Sequence, residues 1–288
     1  MTFKEKYNIL GEVEFENIEL NTDNKMFVDP YLIYISKDDF SINCSNKIVD
    51  YFEQLLYYAK SRDRGNGYRV VRYLQENNEV RFGYSSGLPC GKGLGHNKGK
   101  ELFDLLCNSK AVRTGLVSDI FDASIMLEKV GYDKISDLTI NIILEDLIEF
   151  TQEQCYKFNI EMELIKLRRP IWRSNAGSWV SKDSVLLPVH NDKPIILVPI
   201  NFVRPYLVYT YDRFYNHQMM PFYERKVMGE PTSGLVKILK RGIVPARTKI
   251  RKEYPCIKER VVNFIAEHPG EYSDYKYKQL NYVDNSRV

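Results

Sequence analysis

The sequence predicts an α+β (mixed α/β) fold, a central mixed sheet with flanking helices and a β-hairpin in the second half. Three observations carry that expectation. Apolar residues recur at helical spacing over residues 46–62 and again from about 138 to 158. β-rich runs bounded by turn residues occupy 10–35 and 185–198. Of the 288 residues 44% are hydrophobic, enough for a sizeable core.

Taken in order, Val13, Phe15, Ile18 and Leu20 alternate with polar residues and read as strand. The turn Asn21–Lys25 leads to Met26-Phe27-Val28, which Asp29-Pro30 ends, and Tyr31–Ile35 reads as a second apolar run. Ile48, Tyr51, Phe52, Leu55, Leu56 and Ala59 share one helical face. A glycine-dense stretch over 83–99 precedes a helix from about Lys98 to Ser109, and another helix covers roughly Ser118 to Val130. Gly131-Tyr132 breaks it, and Asp133–Asp137 leads into a long helix from about Leu138 to Phe158. Val185–Leu187 and Ile195–Val198 flank His190-Asn191-Asp192-Lys193-Pro194, which predicts a β-hairpin. A short helix is expected at about Cys256 to Glu267, and the last 15 residues read as loosely structured. The expected organisation is a main α/β domain over 1–236 and a basic C-terminal extension over 237–288.

Composition narrows the function classes. No apolar run approaches the roughly 20 residues that span a bilayer, and Met1–Lys6 has no apolar signal core. A cytoplasmic protein without a membrane partner is expected. The five cysteines are odd in number and far apart, with no C-x-x-C pair, and the four histidines are scattered. That pattern points away from a disulfide framework and from thiolate or histidine zinc sites. Net charge is only +3, so the location of charge matters more than its sum.

Five groups of residues could carry chemistry. Asp29, at a strand end, would present a carboxylate to a hard cation such as Mg²⁺, or start a turn. Asp133 and Asp137 lie four residues apart just ahead of a helix and would be metal ligands or an acid/base pair; one of them could equally be its cap. The glycine loop exposes backbone amides that could cradle a phosphate, and Lys92 and Lys98 add charge, but it is neither a Walker A nor a Rossmann sequence. Glu163 and Lys166 echo a nuclease Asp…Glu-x-Lys pattern with one residue too many, which turns them to opposite faces of a strand; Glu76 and Glu79 are alternative carboxylates. The basic clusters Lys166, Arg168, Arg169 and Arg173 around Trp172, and Lys240, Arg241, Arg247, Lys249 and Arg251, suit a nucleic-acid backbone.

Several of these segments together resemble a family of uncharacterised bacterial proteins: Asp29-Pro30, Gly83-Tyr84-Ser85 with Gly91-Lys92-Gly93-Leu94-Gly95, Asp133–Thr139, Phe150–Cys155, and Leu187-Pro188 with Ile195–Pro199. The resemblance spans roughly residues 16 to 270. It implies a setting near phage-defence or mobile-element genes and treats Asp29, Asp133 and Asp137 as one constellation. It supplies no mechanism.

The leading expectation is a Mg²⁺-dependent nuclease or related phosphoryl-transfer enzyme acting on nucleic acid. Asp29, Asp133 and Asp137, with Glu76, Glu79 or Glu163, would bind the metal, and Lys92 or Lys166 would stabilise developing charge. Two alternatives stand beside it: a non-catalytic module binding nucleic acid or a protein partner, and a nucleotide-binding enzyme using the glycine loop. Convergent carboxylates favour the first and dispersed carboxylates the second.

Overall fold

The computed structural model describes residues 1–83, 96–127, 130–167, 169–207 and 209–281; for residues 96–98, 231, 280 and 281 it describes the backbone alone. The chain divides into two units, one of residues 1–121 and 129–207, the other of residues 122–128 and 208–288. The basic stretch expected as an extension from residue 237 is therefore part of a larger unit that starts at 208 and takes in 122–128. The α+β class holds. Among the described residues no helix is long and apolar enough to cross a membrane.

The first unit is built on the helix Asp39–Ser61. Asp38 caps it by accepting the Ser41 amide, Arg62 ends it in the left-handed region, and Ile48, Tyr51, Phe52, Leu55, Leu56 and Ala59 form its buried face. The expected long helix after Gly131 is two helices, Tyr132–Ile142 and Leu144–Lys157, meeting at Ile143. Side chains explain the break. Thr139 Oγ1 donates to the Ile135 carbonyl at 2.7 Å, and Asn141 Nδ2 to the Asp137 carbonyl at 2.7 Å and the Gln75 carbonyl at 2.6 Å. Such bonds back to i−4 carbonyls bend a helix. From Ile135 to Ile142 every residue of the first helix is buried.

The expected central mixed sheet is replaced, among the described residues, by two-stranded antiparallel sheets. In this unit Phe27–Val28 pairs with Val203–Arg204, Glu163–Lys166 with Ser184–Leu187, and Ile171–Arg173 with Ser178–Val180. Three of the presumed strands are not strands. Val13–Leu20 carries only isolated bridges, Phe15 to Pro199 and Glu19 to Thr2. Tyr31–Ile35 belongs to the helix Pro30–Ile35, because Asp29 accepts the Tyr31 amide and Pro30 takes the first helical position. Ile195–Val198 is buried and lies in no strand ladder among the described residues: Ile195 donates to the Pro188 carbonyl, Ile196 to the Glu79 carbonyl and Leu197 to Thr151 Oγ1, while the Val198 carbonyl accepts the Glu16 amide. The hairpin expected there is shorter, Val189–His190 against Lys193–Pro194, turning on Asn191 and Asp192 at φ 51° and 58°. Two consecutive left-handed residues are the geometry of a type I′ turn, whose twist matches that of the strands.

Among the described residues the second unit is helical with one hairpin. Met220–Gly229, Arg247–Glu253, Lys258–Glu267 and Pro269–Asn281 are its longer helices, and Val236–Leu239 pairs with Gly242–Pro245. Aromatic rings make its core: Phe214 meets Tyr275 edge-on at 5.1 Å, and Phe222 meets Phe264 at 5.1 Å. Buried Asp122 accepts the Tyr272 hydroxyl and pairs with Lys276 at 2.6 Å. Helix thus replaces loose structure as far as Asn281, anchored by buried Tyr272 and Tyr275 on one face; residues 282–288 lie outside the described residues.

Candidate functional site

The expected metal ligands are distributed, and arginines already face the buried ones. Asp29 is buried at the N-cap of its helix, with Oδ2 3.2 Å from Arg204 Nε. Asp133 and Asp137 lie on the helix Tyr132–Ile142 rather than ahead of it; Asp133 is exposed in its first turn and Asp137 is buried one turn later. The cap position is Gly131, so neither aspartate caps the helix. Glu79 Oε2 stands 3.3 Å from Arg169 Nη2, and the charge of Asp137 acts on the same guanidinium. Burial pulls Arg169 down from its ordinary value while Glu79 and Asp137 pull it up. Arginine keeps its proton in such a setting, so it serves as the counter-ion of Glu79 and also feels the charge of Asp137. Glu76 and Glu163 are exposed, as is Lys166 on the strand that carries Glu163. Among the described residues no group of three His, Cys, Asp or Glu side chains is placed to hold a metal ion.

The basic candidates sort by their partners. Lys92, Arg168 and the side chain of Lys98 lie outside the described residues, as does most of the glycine loop. Arg169 is buried, which corrects the expectation of a surface phosphate contact there. Arg173 pairs with Glu145 at 3.1 Å, sharing that carboxylate oxygen with Lys182 at 3.2 Å. In the second unit Arg247 pairs with Glu224, Lys249 donates to the Gly234 carbonyl at 3.0 Å and Arg251 to Asn216 Oδ1 at 2.8 Å. Lys240 and Arg241 form the two-residue turn of the hairpin, exposed and with no carboxylate partner among the described residues.

That hairpin is the most distinctive surface of the second unit. Its register sets Ile238 opposite Ile243 and Val236 opposite Pro245, so one face is wholly apolar. Ile238 is 83% exposed and Leu239 54%, values far outside the usual range for large aliphatic residues in a strand. Around it runs a segment free of acid. Between Glu230 and Glu253 stand Lys237, Lys240, Arg241, Arg247, Lys249, Arg251 and Lys252, with no Asp or Glu among them. The sequence shows the charge run directly; the exposed isoleucine pair depends on a strand pairing that the charge run does not reveal.

A family model described as a domain of unknown function (DUF8370) matches residues 6–210, and so ends close to the boundary between the two units. No curated protein and no solved structure matches the chain.

Proposed function

This chain belongs to the DUF8370 family, and we propose that it is a nucleic-acid-binding module whose backbone contact is made by the hairpin Val236–Pro245 and its flanks. The observation that carries this reading is the acid-free run of seven cations from Lys237 to Lys252, folded into a protruding hairpin and helix. A two-stranded ribbon is narrow enough to enter the major groove of a duplex. Lys240 and Arg241 at its turn would reach phosphates, and the exposed Ile238–Ile243 pair would lie against the apolar edges of sugars and bases. In the phage-defence setting that the sequence resemblance implies, the ligand would be foreign nucleic acid.

The test is anisotropy titration of a labelled duplex over a salt series. Each phosphate contact contributes about 0.9 to the slope of log K against log salt. Lys240→Gln with Arg241→Gln should flatten that slope by roughly two and weaken binding uniformly across sequences. An unchanged slope refutes the reading. The phosphoryl-transfer reading is examined in the same tubes: Mg²⁺-dependent loss of the labelled strand, abolished by Asp137→Asn and by EDTA, would support a nuclease over a binding module.

A further inference from the structure

The two tryptophans of the chain, Trp172 and Trp179, are directly opposed across the antiparallel strands Ile171–Arg173 and Ser178–Val180. Their rings meet at 5.3 Å and 70°. Trp172 is buried and Trp179 half-buried, and both line a cleft of about 380 Å³ in the first unit, alongside half-buried Tyr58 and Tyr73. That volume lies within the range of small-molecule sites. The cleft is held open by fixed groups. Trp179 donates its indole N–H to the Val70 carbonyl at 2.6 Å, and Gln54 donates to the Gly177 carbonyl at 3.0 Å. Gly177 has φ +55°, and a Cβ there would lie 3.1 Å from the Gln54 amide, so this turn asks for glycine on both counts.

The chemistry of the wall is one-sided. Arg69 and Arg72 line the cleft, both exposed, and among the described residues no Asp or Glu does. Neither arginine is in an ion pair among the described residues; Arg72 lies over the Tyr73 ring at 5.3 Å and Arg69 makes a long contact, 3.5 Å, with Asn66 Oδ1. They stand in a run, Lys60, Arg62, Arg64, Arg69 and Arg72, that contains a single acid, Asp63. Aromatic faces offer sequence-tolerant stacking to a base, and exposed guanidinium groups that are in no ion pair among the described residues select an anion, phosphate by bidentate geometry above others.

We propose that this cleft binds a nucleobase carrying a phosphate, the base against the Trp179–Tyr73 side and the phosphate on Arg69 and Arg72. The ligand is either a free nucleotide or a nucleotide of a single strand. This site lies in the first unit and does not depend on the hairpin reading, which concerns the second.

Because both tryptophans line the cleft, intrinsic fluorescence of the full chain reports the site directly. The protein is titrated with AMP and with a short oligothymidylate, and with adenosine and inorganic phosphate as the two halves of the ligand, all corrected for ligand absorbance. The expected result is saturable quenching by AMP or by the oligonucleotide, at least fivefold tighter than by adenosine. Arg69→Gln with Arg72→Gln should weaken it at least tenfold, and Tyr73→Leu should weaken it several-fold, with circular dichroism and urea midpoints unchanged. Quenching by AMP assigns a free nucleotide; quenching by the oligonucleotide alone assigns a strand. Either supports the site. No saturable response to any probe, or a response that both variants leave intact, overturns it. Lys240→Gln with Arg241→Gln should not move the AMP response, so failure of the hairpin reading and failure of this one are told apart.

Discussion

Replacing Asp29 separates a structural carboxylate from a metal ligand. Its side chain is 2% exposed and that of its partner Arg204 12%, and it accepts the Tyr31 amide at 3.0 Å. Asp29→Asn keeps an oxygen for the cap and removes the charge that faces a nearly buried guanidinium. Breaking a buried pair from one side costs about 3–5 kcal/mol. Asp29→Ala also removes the cap, for about 1 kcal/mol more. At roughly 2–4 °C per kcal/mol for a unit of this size, the Asn variant should melt about 6–20 °C lower and the Ala variant lower still. Urea unfolding followed by tryptophan fluorescence reads both, with the slope m held constant as the check on two-state behaviour. A loss below about 1 kcal/mol in Asp29→Asn, or a wild-type midpoint that rises with Mg²⁺ only while Asp29 is intact, would refute the structural account and restore the carboxylate to a metal site.

Two further predictions concern stability. A Cβ on Gly67 would lie 2.0 Å from the Phe103 ring, and one on Gly99 2.2 Å from the Val71 carbonyl. Each Gly→Ala change should therefore cost about 1–3 kcal/mol by overpacking, against the helix gain of about 1 kcal/mol that alanine would otherwise bring; urea midpoints decide the sign. Asp146, 4% exposed, accepts from Lys47 at 2.7 Å and Asn43 at 2.9 Å. Burial pushes its carboxyl above the ordinary 3.8, with the Lys47 contacts pulling the other way. A folded value above the unfolded one means that its contribution to stability is complete below 3.8 and is lost as pH rises through the raised value. Asp146→Asn should flatten the pH dependence of the urea midpoint in that acid window, and an unaltered profile would show that Asp146 is not its source.

How far the sequence could be read depends on whether the deciding interaction is local. The helix over 46–62 was legible because its apolar spacing repeats within its own turns; its start at Asp39, capped by Asp38, precedes the apolar face and was missed. Asn191-Asp192 announced a hairpin for the same reason. Tyr31–Ile35 misled because a short apolar run fits strand or helix, and the arbiter is the Asp29-Pro30 start read as a stop. Asp137 and Glu79 looked like metal ligands because Arg169, which pairs with Glu79 and feels the charge of Asp137, is 32 residues away from the nearer in sequence, a separation no local pattern reveals. The Trp172–Trp179 cleft was invisible for the opposite reason. Its arginines, at 69 and 72, and its tryptophans, at 172 and 179, come from segments a hundred residues apart. The hairpin cations were evident as composition, and only their folding into an exposed ribbon was not.

The Ser136 hydroxyl has a consequence for how the first unit opens. Its oxygen accepts the Val28 amide at 3.0 Å, joining a strand to a helix 108 residues later, in a buried setting. The Val28 amide hydrogen cannot meet solvent until that helix lifts from the strand. Its exchange rate therefore measures a sub-global opening rather than fraying of the short two-stranded ladder in which it sits. A single slowly exchanging proton at residue 28 becomes a gauge of whether the buried helix and the Asp29 strand end come apart together.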